Sequence, residues 1–239
     1  MKFLIVLPVI IESVAEKCLD TIDPVYYRNI LVIDNTKNGV KHRPGIMYEH
    51  HPENLGVARS WNVGARKVVK DKLDYLIIIS ATMLFNDGMR GFIADIEENK
   101  NPWGLETQHI WHLIALRRAM IERCGYFDEN FYPAYYEDSD YIRRWELSGI
   151  HNPMSSTHRL PKVNVNATHQ GDALSMKSGI KVNIDASRAY FIKKWGFEPR
   201  YDTQENRDKL YTAPFNNPEN NVDYWEPHSI EELKKEYDV

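Results

Sequence analysis

The stretch Phe3-Leu4-Ile5-Val6-Leu7-Pro8-Val9 decides the fold, because an unbroken apolar run of this length is typical of a strand buried on both faces. Two similar runs, Ile30–Ile33 and Tyr75–Ile79, follow it along the chain. Segments with helical periodicity, Ala58–Val69 and Asp87–Glu98, alternate with the apolar runs. This alternation predicts an α/β fold with a mixed, mainly parallel central sheet and helices on both faces.

Three polar or turn-forming segments directly follow the predicted strands. They are Pro8-Val9, Asp34-Asn35 and Ser80-Ala81-Thr82. Ligands of open α/β sheets bind outside the carboxyl ends of the parallel strands. We therefore expect these three segments to converge on one binding site.

Helical patterns continue in the second half of the chain. They cover Leu116–Cys124, Ser139–Leu147 and Asn183–Trp195. Asp138 falls at the expected N-cap of the second of these helices, where a carboxylate is favoured by free backbone N–H groups. The segment Ser13-Val14-Ala15-Glu16 has the form of a capping box and predicts the start of the first helix of the protein.

Length and composition indicate one ordinary globular domain. The chain has 239 residues, 43% hydrophobic and 27% charged, with a formal net charge of −4. We expect a domain over residues 1–211 and a C-terminal extension over residues 212–239. The lack of a basic excess argues against a nucleic-acid partner. No apolar run is long enough to span a membrane, and Cys18 and Cys124 fit a reducing compartment, so we expect a soluble, cytoplasmic protein.

Acidic and aromatic residues are concentrated in Gly125-Tyr126-Phe127-Asp128-Glu129 and Glu137-Asp138-Ser139-Asp140. With these residues the chain resembles family 2 glycosyltransferases and their rhamnosyltransferase-like relatives, which have the GT-A (Rossmann-like) fold. The resemblance implies inverting transfer of a sugar from a nucleoside-diphosphate sugar to a hydroxyl of a glycan, protein or lipid-linked acceptor. It makes Asp138 the general base, with Glu137 beside it. A positioned carboxylate suits that task, because the attacking hydroxyl must lose its proton.

The same resemblance assigns a donor site at the carboxyl edge of the sheet. It places Asp34 at the nucleobase, and Asn54–Gly64 is similar to the family's N-x-G-x-A-x-x-x-N-x-G segment. Within that segment Arg59 would contact donor groups, although a solvated arginine on a helix face explains it equally well. The donor-binding candidates are Pro8, Asp34, Asn54, Arg59, Asn62, Ser80, Ala81, Thr82 and Lys193.

The sequence departs from the family at its metal site. The family has an Asp-x-Asp motif that binds Mn²⁺ or Mg²⁺, and this chain has Ser80-Ala81-Thr82 instead. Hard divalent cations prefer charged oxygen ligands, so we expect weak metal binding or none at this position. His169 lies where many relatives carry a histidine near the metal and the diphosphate.

For the acceptor the candidates are Trp103, His109 and Asp140, and Trp111 and His112 are further residues that would border its pocket. Two other functions stay open. A sugar-nucleotide pyrophosphorylase shares the general fold, but residues 7–13 lack its glycine-rich phosphate loop. A non-catalytic nucleotide- or glycan-binding module on a glycosyltransferase scaffold would explain the loss of the acidic metal motif. The sequence indicates no oligomeric state.

Overall fold

The computed structural model of the chain describes residues 1–85, 88–98, 104–106, 111–147, 166–167 and 183–197, together with residues 229, 231, 232 and 235. Its centre is a six-stranded sheet with the strand order β3-β2-β1-β4-β7-β6. A second, two-stranded sheet pairs β5 with β8 in antiparallel orientation. The strands are β1 (Phe3–Val9), β2 (Ile30–Asp34), β3 (Met47–His50), β4 (Tyr75–Ile79), β5 (Met83–Leu84), β6 (Gly104–Glu106), β7 (Leu113–Arg117) and β8 (Asn166–Ala167).

The main sheet is mixed but mainly parallel, as predicted. Strands β3, β2, β1 and β4 are parallel neighbours, whereas β7 runs antiparallel to both β4 and β6. Because β7 is reversed, its first residues lie at the same edge as the last residues of β1 and β4. A backbone hydrogen bond of 2.8 Å from Ser80 N to His112 O joins the two segments at that edge.

The described residues include six α-helices. They are α1 (Glu12–Asp20), α2 (Gly56–Lys70), α3 (Gly88–Glu98), α4 (Arg118–Cys124), α5 (Glu137–Leu147) and α6 (Ile184–Trp195), and a 3-10 helix covers Pro24–Asn29. Alternate residues of β1 enter two different cores. Ile5 and Leu7 pack in the core that contains residues of α1 and α3, while Leu4 and Val6 pack in the core that contains residues of α2, α4 and α5. The sheet is therefore covered on both faces, which explains the unbroken apolar run in β1.

Several predicted boundaries were wrong. Helix α1 begins one residue before the predicted capping box, and its N-cap, Ile11, makes no side-chain capping hydrogen bond. Leu116 belongs to β7, so α4 begins only at Arg118. Helix α5 begins at Glu137, which places Asp138 inside its first turn instead of at the N-cap.

The C-terminal extension predicted over residues 212–239 lies almost wholly outside the described residues. Helix α6 is capped as its sequence suggests: the Asn183 side chain accepts a hydrogen bond from Ala186 N, and Gly196 ends the helix in the left-handed conformation. Within the described parts of the chain, no helix combines the length and the apolar character that crossing a membrane requires.

Candidate functional site

A cleft of about 350 Å³ opens at the carboxyl edge of the parallel strands. It brings together the ends of β1 and β4, the residues before β7, and the first turn of α5. The position agrees with the general rule for ligand sites in open α/β sheets. Its described lining consists of Pro8, Ile10, Ile11, Val14, Val57, Trp61, Ile79, Ser80, Ala81, Thr82, Trp111, His112, Ala134, Tyr135, Glu137 and Asp138.

One wall of the cleft carries two hydroxyls and an imidazole. The Oγ of Ser80 and the Oγ1 of Thr82 are 2.9 Å apart, and Thr82 Oγ1 lies 3.3 Å from His112 Nδ1. Ser80 Oγ also accepts a hydrogen bond of 3.3 Å from Thr82 N. The tight turn after β4, closed by Met83 N donating to Ser80 O at 3.0 Å, holds the two hydroxyls on the same side.

Glu137 and Asp138 contribute two adjacent carboxyl groups to the lining of the cleft and form its carboxyl wall. Glu137 is buried, and its Oε2 has no hydrogen-bond partner among the described residues. Burial, and then the neighbouring charge of Asp138, raise the pKa of Glu137 well above its usual value. Burial also raises the pKa of Asp138, although hydrogen bonds from Ser139 oppose that shift. The two groups therefore hold their protons to higher pH than ordinary carboxyls do.

Trp61 and Trp111 contribute aromatic rings to the lining of the cleft. Trp111 stacks on Trp61 and on Trp145, with ring centroids 5.6 Å apart in both pairs, and its edge contacts Phe127. Its backbone has a φ of 64°, which is unusual for a bulky residue. The indole Nε1 of Trp111 is buried without a hydrogen-bond partner among the described residues. Trp111 Nε1 and Glu137 Oε2 are thus the two buried polar atoms without a hydrogen-bond partner among the described lining residues.

Asp140, predicted to contact an acceptor, lies on the other side of α5. Its side chain is fully buried, with Oδ1 2.7 Å from Lys194 Nζ and 3.0 Å from Trp195 Nε1, and Oδ2 3.0 Å from Arg144 Nε. The same Nζ of Lys194 lies 2.6 Å from Asp128 Oδ2. Asp140 thus joins α5 to α6, and the predicted acceptor contact does not fit this position.

The donor candidates on α2 also have partners within the protein. Asn62 is fully buried, where it donates to Phe127 O and Glu129 Oε1 and accepts from Phe127 N, each at 2.8 Å. Arg59 Nε lies 3.3 Å from Glu129 Oε2. These contacts hold α2 against the loop before α5, and neither residue belongs to the described lining of the cleft.

The side chains of Asp34 and Asn54 accept hydrogen bonds from residues that follow them in the chain. Asp34 is buried and accepts hydrogen bonds from Thr36 N, Thr36 Oγ1 and Val40 N at 2.7–2.9 Å. The Oδ1 of Asn54 accepts from Gly56 N at 3.1 Å. Neither side chain is part of the described lining, so the predicted nucleobase contact of Asp34 has no support from its position.

The structure also separates two neighbouring lysines on α6. Lys193, the predicted donor contact, is exposed, whereas Lys194 points inward to the buried aspartates. Three further predictions concern Trp103, His109 and His169, which lie outside the described residues.

The donor set at the end of β4 does not fit a hard divalent cation. Ser80 and Thr82 offer neutral hydroxyls, and Ala81 between them offers no side-chain ligand. In the part of the chain that the structure describes, no group of three or more His, Cys, Asp or Glu side chains is placed to hold a metal ion.

Comparison with known proteins gives similarities of fold. No family model matches the chain, and no curated protein matches it. Among solved structures, it is similar to the 1–349 portion of TarS from S. aureus, with 13% identity over 90% of this chain and 79% of that one, and a TM-score of 0.49. It is also similar to the mannosyltransferase PcManGT from Pyrobaculum calidifontis in complex with GDP-Man and Mn²⁺, with 17% identity over 92% and 72% of the two chains, and a TM-score of 0.49. A third similar structure is a mutant of Drosophila beta-1,4-galactosyltransferase 7 with manganese, UDP-Gal and xylobiose, with 14% identity over 72% and 74%, and a TM-score of 0.43.

Of the residues predicted from sequence, the structure gathers Pro8, Ser80, Ala81, Thr82, Glu137 and Asp138 around one cleft. The sequence prediction had no place for Trp61 as a lining residue, and it treated His112 only as a border of the acceptor pocket. The sequence gives little sign of the role of Trp61, because a tryptophan on an apolar helix face is usually a core residue. The place of His112 follows from the reversed direction of β7, which brings residue 112 beside Ser80.

Proposed function

We propose that this protein is an inverting glycosyltransferase that uses a nucleoside-diphosphate sugar and a hydroxyl acceptor carried by a glycan, a protein or a lipid. The observation that carries the proposal is the position of Asp138 and Glu137. These residues belong to the segment that resembles family 2 glycosyltransferases, and both line the cleft at the carboxyl edge of the sheet. The GT-A-like mixed sheet is the expected scaffold for such a site.

In the proposed reaction the acceptor oxygen attacks the anomeric carbon of the donor sugar. The bond from that carbon to the phosphate oxygen breaks, and the nucleoside diphosphate leaves with the electron pair. Asp138 removes the acceptor proton as the new bond forms. Its raised pKa makes it a stronger base than an ordinary aspartate once it is ionised. Proton removal by a positioned general base typically contributes about 10²–10⁴-fold to the rate.

The acceptor hydroxyl, we infer, is oriented by the two unsatisfied groups of the cleft. Both atoms are buried in the structure, so a ligand reaches them only after a side-chain movement that exposes Trp111 Nε1 as a donor and Glu137 Oε2 as an acceptor. A sugar ring satisfies both groups, and the apolar faces of Trp61 and Tyr135 cover its C–H surface. An unpaired buried carboxyl costs free energy in the free protein, and a ligand hydroxyl removes that cost.

Metal ions have no step in this mechanism, because Ser80 and Thr82 do not provide the anionic ligands that a divalent cation prefers. The leaving diphosphate must instead be stabilised by hydrogen-bond donors and by positive charge near the end of β4.

Release of nucleoside diphosphate tests the proposal. We expect a screen of nucleotide sugars against simple glycosides to show acceptor-dependent release with one donor, measured by coupled assay and mass spectrometry of the product. Asp138→Asn should lower that rate by about 10²–10⁴-fold, the contribution of a positioned general base. Asp71→Asn is the matched control, since Asp71 is an exposed residue whose carboxylate pairs with Lys67 on the surface.

The alternative is a binding module without catalysis. It is favoured by one observation: no lysine or arginine belongs to the described lining of the cleft, which leaves little fixed positive charge there for a leaving group. The same screen separates the two functions. Nucleotide binding without release from any donor, unchanged in Asp138→Asn, would support the binding module and reject the transferase.

A further inference from the structure

We propose that Ser80, Thr82 and His112 form a metal-independent site for a diphosphate, in which the protonated imidazole of His112 supplies the positive charge. The inference rests on the proposed function for the identity of the ligand as the diphosphate of a nucleotide. The contacts that support the inference do not involve Glu137 or Asp138 of α5. Ser80 and Thr82 directly follow β4, and His112 directly precedes β7.

Geometry places the three polar groups within one hydrogen-bonded chain. Ser80 Oγ lies 2.9 Å from Thr82 Oγ1, which lies 3.3 Å from His112 Nδ1. One backbone hydrogen bond joins the two ends, since Ser80 N donates to His112 O at 2.8 Å, and the thiol of Cys18 lies 3.9 Å from Ser80 O. An oxyanion that enters the cleft therefore meets groups that are already ordered, which lowers the entropic cost of binding.

The chemistry of the three groups selects an anion. Hydroxyls rotate to donate to a phosphate oxygen, and an imidazolium donates while adding a full positive charge. A cation would instead require negative ligands, and neither serine, threonine nor histidine provides them. His112 is exposed, and its imidazole is the one side chain among the described lining residues that gains a positive charge on protonation. Diphosphate binding without metal would thus depend on its protonation.

Other titratable groups line the same cleft as His112 or contact the turn after β4. These are Glu137 and Asp138 of α5, Tyr135 before that helix, and Cys18 of α1. Burial raises the pKa of Cys18 to about 12, so this thiol stays neutral through the physiological range. The two carboxyls lose negative charge as the pH falls, which also favours an anion. A binding experiment must therefore separate their contribution from that of His112.

Calorimetric titration with inorganic pyrophosphate and with nucleoside diphosphates, in the presence of EDTA, tests the site. Imidazoles ordinarily titrate near pH 6.5, so wild-type affinity for the ligand is compared at about pH 5.5 and about pH 8. We expect affinity to fall by about tenfold or more over this range, as for loss of a hydrogen bond to a charged group. His112→Gln removes the charge at both pH values, and His112→Arg keeps it at both.

His112→Gln should bind at pH 5.5 as weakly as the wild type binds at pH 8. His112→Arg should bind at pH 8 more tightly than the wild type. The control His42→Gln, at an exposed histidine that stacks on Tyr48, should retain the wild-type pH dependence. A pH dependence that persists in His112→Gln and disappears in Asp138→Asn would overturn the proposal and assign the effect to the carboxyl wall.

The failure of this inference is distinguishable from failure of the proposed function. If nucleoside diphosphates bind only when Mn²⁺ is added, and His112→Gln binds as the wild type does, then the metal-independent site is wrong while the transferase survives. If no nucleoside diphosphate or nucleotide sugar binds with or without Mn²⁺, the nucleotide-dependent function itself is rejected.

Discussion

Replacement of Asp140 by asparagine tests whether Asp140 has a structural role that is separate from the proposed catalytic role of Asp138. The carboxylate of Asp140 is fully buried between Lys194, Arg144 and Trp195, at 2.7–3.0 Å from each. Asparagine has nearly the same shape but no charge. The change therefore removes the compensating charge without creating a cavity, and it leaves two buried cations with fewer anionic partners.

The structure sets the size of the expected loss. Removing one partner of a buried ion pair typically costs about 3–5 kcal/mol. Lys194 keeps Asp128 at 2.6 Å, and Arg144 keeps the carbonyl of Tyr126 at 2.8 Å, so we expect the lower end, about 3 kcal/mol. For a chain of this length that loss corresponds to a fall in Tm of roughly 6–12 °C.

Urea unfolding followed by tryptophan fluorescence measures the change, with Asp71→Asn as an exposed control that should shift stability by about 0.5 kcal/mol or less. Acid titration gives a second readout. Burial alone would raise the pKa of Asp140, but Lys194 and Arg144 lower it below the usual value. Its stabilisation is therefore present above about pH 4 and is lost as the pH falls through the lower folded-state pKa. Asp140→Asn should lack that part of the acid slope.

The reasoning would be refuted by a stability loss below about 1 kcal/mol together with a raised KM for an acceptor. That result would restore the acceptor-binding role predicted from the sequence for Asp140. A large stability loss with unchanged KM in the remaining folded protein would instead support the structural role.

Two further predictions concern the backbone of α2 and the pH dependence of transfer. Gly56 has a φ of +77°, and an added Cβ would lie 2.8 Å from Pro133 O. Gly56→Ala should therefore lower the free energy of unfolding, measured in urea, by roughly 2–4 kcal/mol. The control Gly91→Ala, at a helical position with open space around it, should be neutral or stabilising. Because the pKa of Asp138 is raised, kcat/KM should rise with pH through a limb above the ordinary carboxyl value of about 3.9, and a limb at or below that value would contradict Asp138 as the base.

Much of the fold was predictable, because its central strands are buried on both faces. Strands β1, β2 and β4 are apolar runs because their side chains, apart from Pro8 and Asp34, enter the two cores alternately. The missed strand β3 (Met47–His50) is an edge strand with only β2 as a neighbour and with partly exposed residues, so it lacks that pattern. The helix predicted over Leu116–Cys124 overlapped the end of β7, because α4 follows β7 without a loop and the two apolar segments merge in the sequence.

The site was predictable only in part, for a reason of helix geometry. The sequence places Glu137, Asp138 and Asp140 together, but residues on a helix turn by about 100° per position. Asp140 consequently faces α6, while Asp138 borders the cleft. Which acidic residue faces the cleft depends on the position of α6. Lys194 helps to set that position by pairing with Asp128 and Asp140, which lie more than fifty residues earlier in the sequence. Spacing along one segment cannot reveal such a partner.

The two faces of α5 are nevertheless connected mechanically. The first turn of the helix carries the proposed base, and the contact between Asp140 and Lys194 lies within one turn of Asp138 along the same rigid element. A general base must be held within hydrogen-bond reach of the proton it removes, and a displacement of about 1 Å can cost about 10²-fold in rate. If Asp138 is the base, the buried charges behind α5 would support the proposed reaction by fixing its position, although Asp140, Asp128 and Lys194 are not among the described lining residues of the cleft. One acidic segment would then serve both folding and the proposed chemistry: Asp140 and Asp128 pair with Lys194 of α6, and that contact helps to hold the first turn of α5, with Glu137 and Asp138, in place.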